Sequence, residues 1–330
     1  NVVTVATLLE DAGYHTYMAG KWHLGATPDK RPSRRGFERT VALMDSGADN
    51  WEQRPYLPLY DQANWFADGE RITLPEDFYS SRFLIDKTIE FIDSNLKDGK
   101  PFFAYVPFQA VHIPVQAPQE YIDKYMGVYD AGWNSLRHQR LKRAVELGIV
   151  PPGTAMVDMA STGDWSALDA QHKRYEAKRM AVYAGMIEAM DEAVGMILDK
   201  LEALGLDENT VVCFTSDNGG VTSGDAFSSS MLPYRGGKGR QWEGGVREPY
   251  YIRVPGMTKP GSTCDVPVTG TDFYPTILSL AGLPLQPQQH IDGVSLVPLL
   301  QGEKISDRDL FWHYPHYGNQ GGEPSSMIRS

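Results

Sequence analysis

Four runs of this chain gather residues that can do chemistry, three of them rich in glycine. Gly20-Lys21-Trp22-His23-Leu24-Gly25 offers a cation and an imidazole two positions apart. Ala110-Val111-His112-Ile113-Pro114 offers a second imidazole. Ser216-Asp217-Asn218-Gly219-Gly220 offers a carboxylate beside an amide oxygen. The run from Leu232 to Arg247 is dense in glycine and cations and includes Lys238. Lysines can neutralise a developing oxyanion, and imidazoles can move protons near neutrality. Each run also has a plain structural reading. Lys-x-His can be exposed surface, a histidine before Ile-Pro can be a packing residue, and Asp-Asn-Gly-Gly is turn chemistry. A nucleotide-phosphate loop fails on pattern, because Gly-x-x-x-x-Gly-Lys-Ser/Thr is absent.

The elements that must position these runs can be read from hydrophobic periodicity. Residues 3–12 predict a short helix ended by Gly13. Tyr14 to Met18 predicts a strand, with Gly20 opening a loop. Residues 80–97 predict a helix, and 101–108 and 210–215 predict buried strands. Residues 174–204 carry apolar positions at spacings of three and four and predict a long helix. A further short helix is expected over 272–281. Helices alternating with short apolar strands imply an α/β fold with a mostly parallel sheet flanked by helices on both faces. In such sheets ligands bind beyond the carboxyl ends of the strands. The first three runs each follow a predicted strand, and their joint placement favours a site over three coincidences.

The bulk properties narrow the partners. The 330 residues are 42% hydrophobic and 22% charged, with a net charge of −11. That balance argues against a nucleic-acid partner. No apolar run approaches the roughly 18 residues that span a bilayer, so no membrane partner is expected. Cys213 sits in an apolar run and is expected to be a buried thiol, whereas Cys264 lies in a Gly/Pro-rich loop; neither has zinc-site spacing.

In order along the chain, Gly20–Gly25, Arg35-Gly36-Phe37, His112, Thr215–Gly220, Gly237-Lys238-Gly239 and Glu243-Gly244-Gly245-Val246-Arg247 resemble the type I sulfatases of the alkaline phosphatase superfamily. The likeness extends over roughly residues 4–330 and is nearest to the arylsulfatase and N-acetylgalactosamine-6-sulfatase group, including His313-Tyr314-Pro315-His316-Tyr317. The resemblance implies an alkaline phosphatase-like fold and sulfate-ester hydrolysis through a formylglycine nucleophile and a calcium ion. Asp217 and Asn218 match calcium ligands. Lys21 and His23 match a pair contacting nucleophile and sulfate, His112 a histidine that protonates the leaving oxygen, and Lys238 a lysine clamping sulfate oxygens. His313 and His316 are candidate substrate contacts. The substrate is expected to be a sulfated small molecule or glycan, and the formylglycine-generating enzyme a maturation partner. A periplasmic or secreted location is the family habit.

The sequence departs from the family at one point. The Cys/Ser-x-Pro/Ala-x-Arg motif that yields formylglycine is absent, as is the paired-Asp calcium motif; Lys30-Arg31-Pro32-Ser33-Arg34 imitates only the tail of the former. Both are expected upstream, so the chain is read as a fragment, inactive alone. Residues 1–300 are expected to form the catalytic domain, with an insertion near 127–172, and 301–330 to begin a smaller C-terminal α+β subdomain. Two alternatives stay open: a phosphodiesterase or phosphonate hydrolase on the same fold, and a non-catalytic relative that binds sulfated glycans.

Overall fold

The computed structural model describes residues 2–58, 60–156, 163–222, 229–231, 233–318 and 322–330. Leu232, which opens the fourth run, and part of the 127–172 segment lie outside the described residues. Along the chain, α1 (Val5–Asp11) is followed by β1 (His15–Lys21), β2 (Arg39–Leu43), β3 (Trp65–Ala67), β4 (Glu70–Arg71), α2 (Ser80–Asn95), β5 (Phe102–Tyr105), α3 (Gln119–Tyr125), α4 (Gly132–Glu146) and α5 (Ala170–Ala203). Then come β6 (Val212–Thr215), α6 (Glu243–Val246), β7 (Tyr250–Arg253), α7 (Phe273–Leu280), α8 (Val297–Leu300), β8 (Leu310–Tyr314) and β9 (Ser325–Arg329). Among the described residues no helix is long and apolar enough to cross a membrane. The chain divides into two compact units. One comprises Asn1–Ile122, Val182–Thr210 and Pro255–Ile305; the other Asp123–Ala181, Val211–Val254 and Ser306–Ser330.

The first unit is built on a five-stranded sheet of order β4-β3-β2-β1-β5. β1 runs parallel to both β2 and β5, while β3 and β4 return antiparallel. Parallel pairing is thus confined to the β2-β1-β5 end of a mixed sheet. Side chains alternate across a strand, and here both faces are apolar. Tyr17 and Ala19 of β1 join Val41 and Leu43 of β2 against Leu84, Phe91 and Ile92 of α2. Met18 and Ala42 point the other way, with Ala6 of α1, Trp22 and Phe37. β1 is buried along nearly its whole length, and with His15 and Thr16 it still buries two polar side chains. Helix α1 starts where the Thr4 hydroxyl accepts the Thr7 amide at 3.1 Å, an N-cap.

Two expectations for this unit change. β1 continues to Lys21 rather than ending at Met18, so Gly20 lies inside the strand instead of opening a loop. The physical reason is the close passage of Pro107: a Cβ at Gly20 would overlap the Pro107 carbonyl, and glycine alone accommodates that approach. β5 is shorter than the 101–108 run, and its residues are half-buried up to an exposed Tyr105, because it is the edge strand of this sheet and has one neighbour only.

In the second unit, β6 pairs antiparallel with β7, and β8 with β9. α4 packs Trp133 edge-on against Trp165 at 4.7 Å between centroids. The apolar 210–215 run is not the buried strand it suggests. Cys213, Phe214 and Thr215 are exposed, because β6 belongs to a two-stranded sheet. Cys213 is therefore an exposed free thiol, as is Cys264.

Candidate active site

In the first unit the chemistry gathers beyond the carboxyl ends of β2, β1 and β5. Lys21 closes β1, its amide donating to Pro107 at 2.8 Å, and the next amide, Trp22, donates to Leu43 at 2.8 Å. The run after β1 is thereby tied to the segments that follow both neighbouring strands. Trp22 is buried, its indole N–H donating to the Lys30 carbonyl at 2.9 Å and its ring set edge-on to Phe37. His23 turns outward with φ of 51°, a left-handed conformation uncommon away from glycine and enriched where a site constrains the backbone.

His112 follows β5 and is half-buried. Its Nδ1 lies 2.6 Å from the Ile113 carbonyl. A carbonyl only accepts, so Nδ1 carries the hydrogen. Tyr56 meets the ring edge-on at 5.7 Å. Gly47 lies against it, since a Cβ there would stand 3.1 Å from Nδ1.

Sequence reasoning missed the polar residues around His112. Asp45 accepts the Asn64 amide at 2.8 Å. Asp49 accepts Arg54 at 2.5 Å, Gln116 at 2.8 Å and the Trp51 amide at 2.8 Å. Burial alone would raise the Asp49 pKa, but the hydrogen bonds from Arg54, Gln116 and the backbone outweigh it and hold the carboxyl below its ordinary range. Asn50 and Gln109 are fully buried. Both lie in the loops that follow β2 and β5, and nothing in the sequence sets them apart.

The second unit holds the oxygen donors and the remaining lysine. Asp217 and Asn218 follow β6 directly. The Asn218 side-chain amide nitrogen donates to Gly219 at 3.0 Å, so its oxygen is the end that can ligate. Gly219 packs so closely on the 243–246 turn that a Cβ would overlap the Gly244 carbonyl. The Lys238 amide donates to Gly220 at 2.9 Å, bringing its segment beside the Asp217 turn. Glu243 accepts Arg247 at 3.0 Å and Arg329 at 2.6 Å. His313 sits on β8, with Nδ1 2.8 Å from the Ser326 hydroxyl across the ladder, and the His316 ring is 5.5 Å from Tyr314.

Glu248 completes this picture. Burial, then the charge of Asp217, push its pKa up to about 7, and its Oε1 is buried with no hydrogen-bond partner among the described residues. An orphaned carboxylate oxygen near a second carboxylate fits a hard cation. It remains a partial set: among the described residues no three His, Cys, Asp or Glu side chains cluster to hold a metal, and calcium takes about six to eight oxygens. Lys21, His23 and His112 thus belong to one unit, and Asp217, Asn218, Lys238, His313 and His316 to the other.

The sulfatase family profile matches residues 1–283. The chain is 36% identical over 329 residues to an uncharacterised sulfatase of Schizosaccharomyces pombe, covering 86% of this chain and 59% of that one. It is 31% identical to an arylsulfatase of Klebsiella aerogenes, covering 91% and 71%, and 40% identical to human steryl-sulfatase, covering 94% and 57%. The match therefore spans less than two thirds of the Schizosaccharomyces pombe and human relatives. Among solved structures, Ps i-CgsB in complex with k-i-k-neocarrahexaose superposes with a TM-score of 0.72 at 24% identity, covering 98% of this chain and 63% of that one. A protein in complex with its substrate D-glucosamine-2-N,6-O-disulfate gives 0.69 at 21%, covering 99% and 71%. A phosphonate monoester hydrolase from Silicibacter pomeroyi gives 0.51 at 22%, covering 93% and 63%. These structural likenesses establish the alkaline phosphatase-like α/β fold.

Proposed function

This chain belongs to the sulfatase family, and on that premise we propose that the intact protein hydrolyses a sulfate ester. The observation that carries the proposal is the parallel pairing of β1 with β5. It puts the runs bearing Lys21, His23 and His112 at one edge of one sheet, with the His112 tautomer fixed by Ile113. Lys21 and Lys238 neutralise the sulfuryl oxygens. His112, protonated on both nitrogens, delivers the Nε2 proton to the departing alcohol oxygen. His23 takes the proton that must leave the nucleophile's side of the reaction.

Asp217 and Asn218 would hold a calcium ion, with Glu248 beside them. Bound there, calcium supplies electrostatic stabilisation of charge on the sulfuryl oxygens. The nucleophile is proposed to be a formylglycine made by the formylglycine-generating enzyme from a residue not among these 330, since no Cys or Ser here has the x-Pro/Ala-x-Arg context. The substrate class is proposed to be aryl or sugar sulfates, with His313 and His316 as contacts to it. A periplasmic or secreted location follows family habit. The test is turnover of p-nitrophenyl sulfate by the full-length protein, with inorganic sulfate measured as product. Hydrolysis of a phosphonate or phosphodiester in preference to the sulfate would move the assignment to that branch of the fold. Sulfated-glycan binding without turnover would make the protein a non-catalytic relative.

A further inference from the structure

The segments that follow β2 and β5 are joined by side-chain amides. Gln109 Oε1 accepts the Ala48 amide at 2.7 Å, and its Nε2 donates to the Ala48 carbonyl at 2.7 Å and to Asn50 Oδ1 at 2.9 Å. Asn50 Nδ2 donates to the Pro114 carbonyl at 3.0 Å, and the Asn50 backbone amide donates to Gln116 Oε1 at 2.8 Å. Gln116 Nε2 then reaches Asp49 at 2.8 Å. The attachment points Gln109, Pro114 and Gln116 lie on both sides of His112, while Gly47, from the other segment, forms the surface on which the imidazole rests.

Amides that merely satisfied one another would need no such arrangement around one residue. A general acid works only when its proton is within about 2.6–3.2 Å of the accepting atom, and displacement by about 1 Å can cost about 100-fold in rate. We propose that Gln109, Asn50 and Gln116 are positioning residues for His112, clamping its segment on both flanks so that the imidazole is held in place for proton delivery to the leaving oxygen. The proposal rests on the reading of His112 as the general acid.

The experiment compares two substrates in the full-length protein: p-nitrophenyl sulfate, whose leaving group needs little protonation, and phenyl sulfate, whose leaving group needs more. His112→Ala is measured in parallel with Gln109→Met, which removes all three hydrogen bonds at similar volume, and with Gln116→Leu at a half-buried position. If the amides position the acid, kcat for phenyl sulfate falls by about 100-fold in Gln109→Met. The nitrophenyl ester should lose far less, KM should hardly move, and His112→Ala should show the same selectivity. Should Gln109→Met fail to fold in a thermal melt, Gln116→Leu decides on the same criterion with a smaller ratio. If His112→Ala discriminates between the substrates while the amide variants slow both equally or neither, the positioning proposal falls and the acid assignment stands. If His112→Ala does not discriminate, the assignment falls and takes the proposal with it.

Discussion

His15 and Glu38 meet with imidazole Nδ1 2.6 Å from carboxylate Oε2, and the opposite ring nitrogen lies 2.7 Å from Asp98. Carboxylates accept, so both ring nitrogens must carry hydrogens and the ring is an imidazolium at the start of β1. Burial of the ring pulls its pKa down, but the hydrogen bonds to Glu38 and Asp98 outweigh that and leave it above 6.5.

The stability this clasp contributes is complete below pH 6.5 and is lost as pH rises through the raised value. Asp98 acts at the acid end. The Lys100 amide and then His15 hold its pKa below 3.8, so its contribution stands above 3.8 and is lost as pH falls through the lowered value. Melting temperature should therefore decline on the alkaline side in the wild type. His15→Gln should flatten that decline and cost about 1.5–3 kcal/mol at about pH 6. A wild-type melting temperature unchanged between about pH 6 and about pH 9 would contradict the clasp.

Calcium should raise the melting temperature of the full-length protein, by the equivalent of about 2.7 kcal/mol at 100 times its Kd. Asp217→Asn should remove most of that shift, and chelation should reverse it in the wild type. Calorimetry with calcium alone, without substrate, separates this from any effect on turnover. An unchanged calcium response in Asp217→Asn would take Asp217 out of the metal site.

Gly20→Ala would drive a methyl group into the Pro107 carbonyl that accepts the Lys21 amide. Relief requires β1 and the segment after β5 to separate. The expected loss is about 1–3 kcal/mol of stability, together with reduced turnover because Lys21 moves. Circular dichroism melts and a kinetic assay on the same preparation check both parts.

Lys238→Ala should lower kcat on an aryl sulfate by about 100- to 1,000-fold, the scale seen when one preorganised oxyanion donor is removed. Folding should be little affected, because the bond that seats the segment comes from the Lys238 backbone amide and survives the substitution. A rate within a few-fold of wild type would remove Lys238 from the site.

Strand ends and glycines flag the candidate residues in the sequence: Lys21 is the last residue of β1, and His112 and the Asp217-Asn218 pair lie in the loops after β5 and β6. What was lost on the sequence is whatever depends on neighbours in space. The apolar residues of β6 suggested burial, yet β6 has only β7 beside it. Gly20 looked like a breaker, whereas its missing side chain is what lets β1 run on past Pro107. The amide clamp had no signal at all, since Gln109, Asn50 and Gln116 are uncharged and their partners lie 59 to 67 positions away.

Gln109 exchanges two of its three side-chain hydrogen bonds with one residue, Ala48. Two strand residues facing each other in an antiparallel ladder exchange the same pair of bonds. The side chain thus stands in for a peptide group and adds one more rung beyond the last residues of β2 and β5, at a level where the backbone alone has turned into loop. The Ala48 amide should accordingly exchange its hydrogen with solvent at the slow rate of a sheet interior, not the fast rate typical of connecting segments.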